Sequence, residues 1–215
     1  MSGASVAPSA PRTAATRPGR GRPRDPEVEA RIAVAALAIY GEQGWAGFNF
    51  ETVARAAEVS RDSLYRRWDD RRALLVHAIG QLAPAPAPPD GLDLRETLLG
   101  MARGSLERYL APGGRALLRL YVEAPQDPEL LDLFHREVIT PAVLRTRQIV
   151  RDAIAAGQLP TGSSPTAITD AVFGAVLMHV LVTPAELRPR MLEHAERHLS
   201  EVVDLILRGA RTTER

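Results

Sequence analysis

The sequence predicts an all-α protein with two helical units. Apolar residues recur at spacings of three and four through most of the 215 residues, and no segment alternates with period two over a useful length. A capping Asp or Ser followed by proline recurs along the chain, and a proline-rich stretch interrupts the helical pattern at 83–91. We therefore expect a basic arm (1–24), an N-terminal helical unit (25–82) and a helical bundle (92–208).

Composition narrows the protein class. Apolar residues make up 45% of the chain, which suffices for a sizeable core, and cysteine is absent, which excludes disulfides, thiolate catalysis and cysteine-based metal sites. No signal-peptide pattern opens the sequence, and the longest apolar run, 171–182, is too short to span a bilayer and predicts a buried helix. We expect a cytoplasmic protein that does not associate with membranes.

The positive charge lies at the N-terminal end. Residues 1–80 carry 12 arginines against 9 acidic residues, whereas 81–215 carry 15 against 17. The first 24 residues have five arginines, no acid and no apolar periodicity, which is typical of a flexible arm. Three arginines lie among glycine and proline at the end of the arm: Arg20, Arg22 and Arg24. Such a run suits the minor groove of DNA, although similar runs also occur in solvated tails.

Four helices are expected in the N-terminal unit. The first begins at Asp25-Pro26, ends near Gly44, and has an apolar face formed by Val28, Ile32, Ala35, Ala36 and Ile39. Asn49 caps a short second helix and Ser60 caps a third. Only a tight turn, "EVS", separates these two helices. Their buried residues are Phe50, Val53, Ala54, Ala57, Leu64 and Trp68. A fourth helix, 70–82, follows Asp69-Asp70, with Leu74, Leu75, Ala78, Ile79 and Leu82 inward.

The bundle also reads as helical throughout. Asp127-Pro128 and Ser164-Pro165 mark two helix starts in it. The predicted helices cover 92–110, 114–124, 128–157 with Pro141 inside, 165–182 and 189–208.

The stretch 50–75, "FETVARAAEVSRDSLYRRWDDRRALL", carries the functional signal. Its second helix presents polar residues to solvent, as a recognition helix in the major groove does; these are Arg61, Asp62, Ser63, Tyr65, Arg66 and Arg67. Arg71, at the start of the next helix, lies where a backbone phosphate would be. The alternative is a three-helix bundle whose charged face is merely solvated.

Residues 26–82 resemble the N-terminal domain of TetR-type transcriptional regulators. The matching features are Ala35-Ala36-Leu37, Gly44, Val53-Ala54, Ala57, Val59-Ser60, Leu64-Tyr65-Arg66-Arg67-Trp68, Arg71 and Ala73-Leu74-Leu75. The resemblance implies base or phosphate contacts from Asn49, Phe50, Glu51, Arg61, Asp62, Ser63, Tyr65, Arg67 and Arg71. Two positions depart from the family: Glu58 stands where Gly is usual in the turn, and Asp62 where a small residue is usual. Asp62 could accept a hydrogen bond from a cytosine amino group but would be repelled by a nearby phosphate, and the same holds for Glu51.

The same resemblance implies that the bundle binds a small-molecule effector and dimerises through its last two helices. The residues support dimerisation independently, since 165–182 is apolar on nearly every side. Helix 189–208 adds an apolar stripe of Leu192, Ala195, Leu199, Val202, Val203 and Ile206. A monomeric core is the alternative. Candidate effector-binding residues, each of which could instead be an ordinary core residue, are Tyr109, Tyr121, His135, Phe173, Met178 and His179.

No cofactor or metal is expected. His194 and His198 have the spacing of two metal ligands on a helix, but no third ligand clusters with them, and "FHREV" lacks the geometry of a hydrolytic metal site. A catalytic triad, a glycine-rich phosphate loop and paired carboxylates in a recognisable setting are also missing from the sequence, so we expect no enzyme.

The leading hypothesis is a ligand-responsive repressor that binds a palindromic operator as a dimer. Its recognition helices would occupy successive major grooves, roughly 34–36 Å apart, and helix 70–82 would transmit the effector's influence. The alternative is a helical small-molecule-binding or interaction protein with only non-specific nucleic-acid contact. A steep salt dependence without sequence preference would favour that alternative.

Overall fold

The computed structural model describes residues 26–82 and 93–212, and all regular structure within these ranges is helical, as predicted. Ten α-helices are found there: α1 (Pro26–Gly47), α2 (Phe50–Ala56), α3 (Arg61–Tyr65), α4 (Arg71–Gly80), α5 (Leu94–Leu110), α6 (Gly114–Glu123), α7 (Pro128–Phe134), α8 (Thr140–Ala155), α9 (Pro165–Val182) and α10 (Arg188–Arg211). A π-helical segment (His135–Ile139) joins α7 to α8, and single 3-10 turns precede α7 and α10.

Side-chain caps start five of these helices. In each case an Asn, Ser or Asp oxygen accepts a hydrogen bond from a backbone N–H of the first turn, which satisfies a donor that has no partner within the helix. The predicted caps are confirmed at Asn49, Ser60, Asp127 and Ser164, and Asp70 caps α4 in the same way. The predicted cap Asp25 lies outside the described residues.

Gly44 interrupts α1 where the sequence predicts its end. Its backbone angles, φ 65° and ψ −165°, lie in a region that is essentially restricted to glycine. The backbone resumes helical geometry after Gly44, and α1 ends at Gly47. The break therefore redirects the helix rather than terminating it.

The prediction of a single helix over 128–157 is wrong in one respect. The structure divides it into α7, the π-helical segment and α8, with Pro141 in the first turn of α8. Proline has no N–H to donate, and its ring clashes with the carbonyl four residues earlier in a regular helix. The wider hydrogen-bonding pattern before Pro141 avoids both problems.

Two hydrophobic clusters hold the fold, and they do not divide at the proline-rich stretch. The first joins α1–α4 to α6 and α7, whose Leu117, Leu120 and Phe134 pack among residues of the N-terminal unit. The second lies between α5, α8, α9 and α10. Because α6 and α7 belong to the first cluster, a displacement of either helix acts directly on the N-terminal helices that pack against it.

The prediction that 171–182 forms a buried helix is wrong for the single chain. Only 28% of the residues of α9 are buried, because its outer faces have no partner within the described residues. By length and composition alone α9 could cross a membrane, but a single such helix is weak evidence for a membrane span.

Candidate nucleic-acid interface and bundle cavity

A tight turn between α2 and α3 sets the angle of α3. Asn49 and Thr52 cap α2 reciprocally: the Thr52 N–H donates to Asn49 Oδ1 at 2.9 Å, and the Asn49 N–H donates to Thr52 Oγ1 at 3.3 Å. Glu58, at the turn position where Gly is usual, has a left-handed backbone conformation with φ 54°. Ser60 then accepts from the Ser63 N–H and starts α3. The local sequence thus specifies a helix-turn-helix.

The third helix is held by one apolar face and exposes the other. Leu64 is fully buried, and Trp68, just after the helix, is nearly so. The exposed residues are Arg61, Asp62 and Tyr65 of the helix and Arg66, which follows it directly. This places a polar, mainly basic surface on the outside of the helix-turn-helix, as a recognition helix requires.

Contacts within this surface orient its side chains. The Tyr65 ring meets Phe50 edge-on at 4.8 Å between centroids, so Phe50, which is buried, supports Tyr65 from below. Arg61 interacts with the Tyr65 hydroxyl and lies 3.9 Å from Glu51, and these neighbours raise the pKa of its guanidinium. Arg67 donates from Nη1 to the Ser63 carbonyl at 2.8 Å and to the Ser63 hydroxyl.

The exposed acids of this surface have different surroundings. Glu51 is balanced by Arg61, whereas Asp62 lies in the first turn of α3, where the helix N-terminus favours a negative charge. Both side chains are exposed. Neither carboxylate therefore disrupts the fold of the helix-turn-helix.

The position of Arg71 does not support the prediction that it points at a phosphate. Its Nη1 donates to the carbonyls of Trp45 and Phe48, at 3.1 and 2.9 Å, and its guanidinium lies over the Trp45 ring at 4.0 Å. Arg71 thus binds carbonyls that the end of α1 leaves unpaired. Arg20, Arg22 and Arg24 lie outside the described residues.

A cavity of about 270 Å³ lies in the bundle between α5, α6, the π-helical segment, α8 and α9. It brings together Tyr109, Tyr121 and Phe173, three of the six predicted effector-binding residues. The wall also contains residues that sequence reasoning missed: Met101, Ser105, Arg108, Ile139, Ala142, Val143, Arg145, Thr146, Thr169 and Asp170. Their common signal, polar groups on the apolar faces of α5, α8 and α9, becomes visible only once the helices are packed.

The other three predicted residues do not line this cavity. His135 is exposed at the start of the π-helical segment, and Met178 is 54% exposed on α9. His179 stacks on His198 of α10 with ring centroids 3.9 Å apart, and burial together with His198 lowers the pKa of His179. His194 completes no metal site: the described residues contain no group of three potential His, Cys, Asp or Glu ligands.

A polar network connects the cavity wall to the N-terminal unit. Glu123 of α6 accepts from the Tyr40 hydroxyl at 2.9 Å and from the Trp45 N–H at 3.3 Å, and Arg119 donates to its other oxygen at 2.6 Å. Burial raises the pKa of Glu123, but Arg119 and Tyr40 outweigh this and hold it below its ordinary value. Tyr121, two residues earlier on α6, lines the cavity.

A second connection runs from α4 to α7. The Nε of Arg72 lies 3.1 and 3.0 Å from the two carboxylate oxygens of Asp127, the residue that caps α7. The α4 helix packs with α1–α3 in the first cluster and is joined to α7 by this pair.

Large apolar side chains remain exposed on α9 and α10. They are Met178, Leu181 and Val182 of α9, and Leu192 and Leu205 of α10, each more than half exposed. The predicted stripe of α10 is only partly used within the chain, since Leu199 and Val203 are buried whereas Leu192 is not. The remaining apolar surface is of the kind that marks an interface.

Comparison with known proteins gives matches to both halves of the chain. A family model described as "Tetracyclin repressor-like, C-terminal domain" matches residues 88–199, just over half of the chain, and one described as "Bacterial regulatory proteins, tetR family" matches residues 32–78.

Individual relatives agree with these matches over most of the chain. The HTH-type transcriptional regulator AqdR of Rhodococcus erythropolis is 27% identical over 191 residues, 88% of each chain. The uncharacterized HTH-type transcriptional regulator YdeS of Bacillus subtilis is 23% identical over 170 residues, 78% of this chain and 85% of the relative. A solved TetR-family regulator from Rhodococcus sp. shares the fold, with a TM-score of 0.69 and 21% identity over 85% of this chain and 100% of the other.

Proposed function

Because the chain belongs to the TetR family of bacterial transcriptional regulators, we propose that it represses transcription from a palindromic operator, which it binds as a homodimer, until an effector enters the bundle cavity. Proteins of this family are ligand-responsive DNA-binding regulators and not enzymes. They bind DNA operators and small-molecule effectors as dimers. The proposed regulator acts in the cytoplasm.

The exposed polar face of α3 supports the proposal that this chain binds DNA through α3. Arg61, Tyr65 and Arg66 project from a helix that is anchored on its opposite face by Leu64. An arginine can bind guanine O6 and N7 through two hydrogen bonds, and a tyrosine hydroxyl can bind a phosphate. The full proposed set is Asn49, Phe50, Glu51, Arg61, Asp62, Ser63, Tyr65, Arg66 and Arg67, with Arg20, Arg22 and Arg24 from the arm.

Within this set the contacts differ in kind. Phe50 acts by supporting Tyr65, and Asn49 acts at the start of α2, where free N–H groups can face a phosphate. Arg71 is left out because its guanidinium already binds the Trp45 and Phe48 carbonyls.

The dimer would form through α9 and α10. Their exposed apolar side chains are unfavourable in water, and a two-fold arrangement buries the same patch on both copies. A fixed dimer also sets the spacing of the two α3 helices, which must match successive major grooves.

The effector would act through α6. Occupation of the cavity displaces or orders Tyr121, and Glu123 on the same helix holds Tyr40 and Trp45 of α1. A shift of α6 therefore moves the support of the helix-turn-helix. Because the operator fixes the distance between two recognition helices, a displacement of a few Å is enough to weaken binding.

The double variant Tyr65→Ala/Arg66→Ala tests the DNA-binding part. DNA fragments from the source genome are first selected by the unaltered protein, and affinity for the selected fragment is then measured by fluorescence anisotropy. We expect a loss of about 100-fold or more, since each base contact contributes about 1–3 kcal/mol.

The matched control is Arg151→Ala, which removes an exposed arginine from α8. It should bind the fragment as the unaltered protein does. Circular dichroism and sedimentation establish that the double variant keeps its helices and its dimer. Unchanged affinity in such a folded dimer would refute the assignment of α3 as the recognition helix.

A further inference from the structure

Arg108 of α5 is an arginine of the cavity wall whose charge is not matched. Its Nε is buried and makes no hydrogen bond, and no ion pair among the described residues includes Arg108. A buried N–H donor without a partner is unfavourable, and an acceptor on a ligand in the cavity would satisfy it.

The charges around the cavity favour an anion. Arg108, Arg145 and Asp170 are the charged residues of the wall. The Asp170 carboxylate accepts from Arg147, which lies outside the wall, at 3.4 Å. The cavity is therefore net positive, and a cationic ligand would be repelled.

Two phenols add donors without adding negative charge. The hydroxyls of Tyr109 and Tyr121 interact with each other, and Arg108 lies near both. Burial raises the pKa of each tyrosine more than Arg108 lowers it, so both remain protonated near neutral pH. They can donate to an anion but cannot replace one as the partner of Arg108.

The rest of the wall suits a small apolar body. Met101, Val143 and Phe173 contribute apolar surface, and a volume of about 270 Å³ lies just below the usual range of ligand pockets. The hydroxyls of Thr146 and Thr169 donate to carbonyls of their own helices, at 2.9 and 2.8 Å, and so are not free to donate to a ligand.

We infer that the effector is a small amphipathic organic acid, whose single anionic group pairs with Arg108 and accepts from Tyr109 or Tyr121 while its apolar body lies against Phe173. This inference rests on the proposed function, because it assigns a ligand class to the same cavity. It makes the anion the missing partner of Arg108.

Calorimetric titration of the full chain with three acids and their amides tests the inference. The probes are benzoate, 2-naphthoate and octanoate, each paired with benzamide, 2-naphthamide or octanamide, so that size is matched and only the charge differs. At least one acid should bind about 10-fold or more tightly than its amide. Arg108→Gln should abolish this preference by weakening the acid alone, and Arg108→Lys should restore part of it.

The control Arg151→Gln should leave every affinity unchanged. The inference is overturned if no acid binds better than its amide, if no probe binds at all, or if Arg108→Gln weakens acid and amide equally. Operator release is measured separately. An acid that binds through Arg108 without releasing DNA leaves the ligand class intact and refutes the regulatory coupling. Release of the operator by the amides alone supports the regulatory coupling and refutes the ligand class.

Discussion

The two hydrophobic clusters of the molecule differ in how completely one chain closes them. The cluster of α1–α4, α6 and α7 contains fully buried side chains on every one of its main elements, among them Tyr40, Leu64, Leu75 and Leu120. The cluster of α5, α8, α9 and α10 is closed only on its inner side. Its outer helices keep apolar residues in water. The first region is closed within one chain, whereas the second leaves an apolar face open, which the proposed dimer would cover.

The difference also separates the two kinds of function. The proposed DNA-binding surface is polar and stands on a closed core, so its geometry is fixed within one chain. The bundle combines a cavity with an open apolar face, so its geometry depends on what binds at either place. Substitutions should therefore affect the two regions in different ways.

The largest effect on stability is expected from Leu75→Ala. Leu75 is fully buried in the first cluster, and loss of its side chain leaves a cavity that costs about 2–5 kcal/mol of unfolding free energy. Urea denaturation at fixed protein concentration measures it. Val34→Ala on α1, where the side chain is 65% exposed, is the control and should change stability by less than about 0.5 kcal/mol. Equal effects would contradict the closed core.

The second effect concerns assembly. Val182→Glu places a charge on the open face of α9, where a dimer would have to bury it, and should raise the dimer dissociation constant at least about 100-fold. Sedimentation velocity measures it. Val34→Glu is closely matched, since Val34 and Val182 are 65% and 64% exposed, and should leave the dimer intact. Dissociation by both variants, or by neither, would argue against α9 as the interface.

The smallest effect is expected inside the first region, at Asp127, which joins α7 to α4. Partial burial raises the pKa of Asp127, but the Leu130 N–H and Arg72 outweigh it and hold the pKa below its ordinary value. A carboxyl whose pKa is lowered by folding stabilises the protein above its unfolded pKa, and this contribution is lost as the pH falls through the folded value.

Asp127→Asn isolates the charge, because the amide oxygen still caps α7. The variant should be less stable than the unaltered chain at pH 7 by less than about 1 kcal/mol, and the difference should shrink as the pH approaches 3. Thermal unfolding across this pH range measures it. A difference that stays constant with pH would show that the Arg72–Asp127 pair contributes no stability through its charge.

Local rules explain what the sequence could predict. The caps at Asn49 and Ser60 and the left-handed Glu58 depend on neighbours within four residues, so the helix-turn-helix was predictable. The role of Arg71 was not, because Trp45 lies 26 residues earlier and meets it only through folding. The cavity shows the same limit: helical periodicity indicates apolar faces, but not that Tyr109 and Tyr121 share a cavity while His135 is exposed.

The placement of the two tryptophans gives the protein a built-in optical reporter. The Trp45 ring lies beneath the Arg71 guanidinium, and its backbone N–H donates to Glu123. The Trp68 and His77 ring centroids are 5.3 Å apart. Both belong to the first cluster or its margin, and the cavity wall contains tyrosines but no tryptophan. Light emitted by tryptophan therefore comes from the N-terminal unit alone. A change in that emission when the bundle is filled would report motion that has crossed from one region to the other.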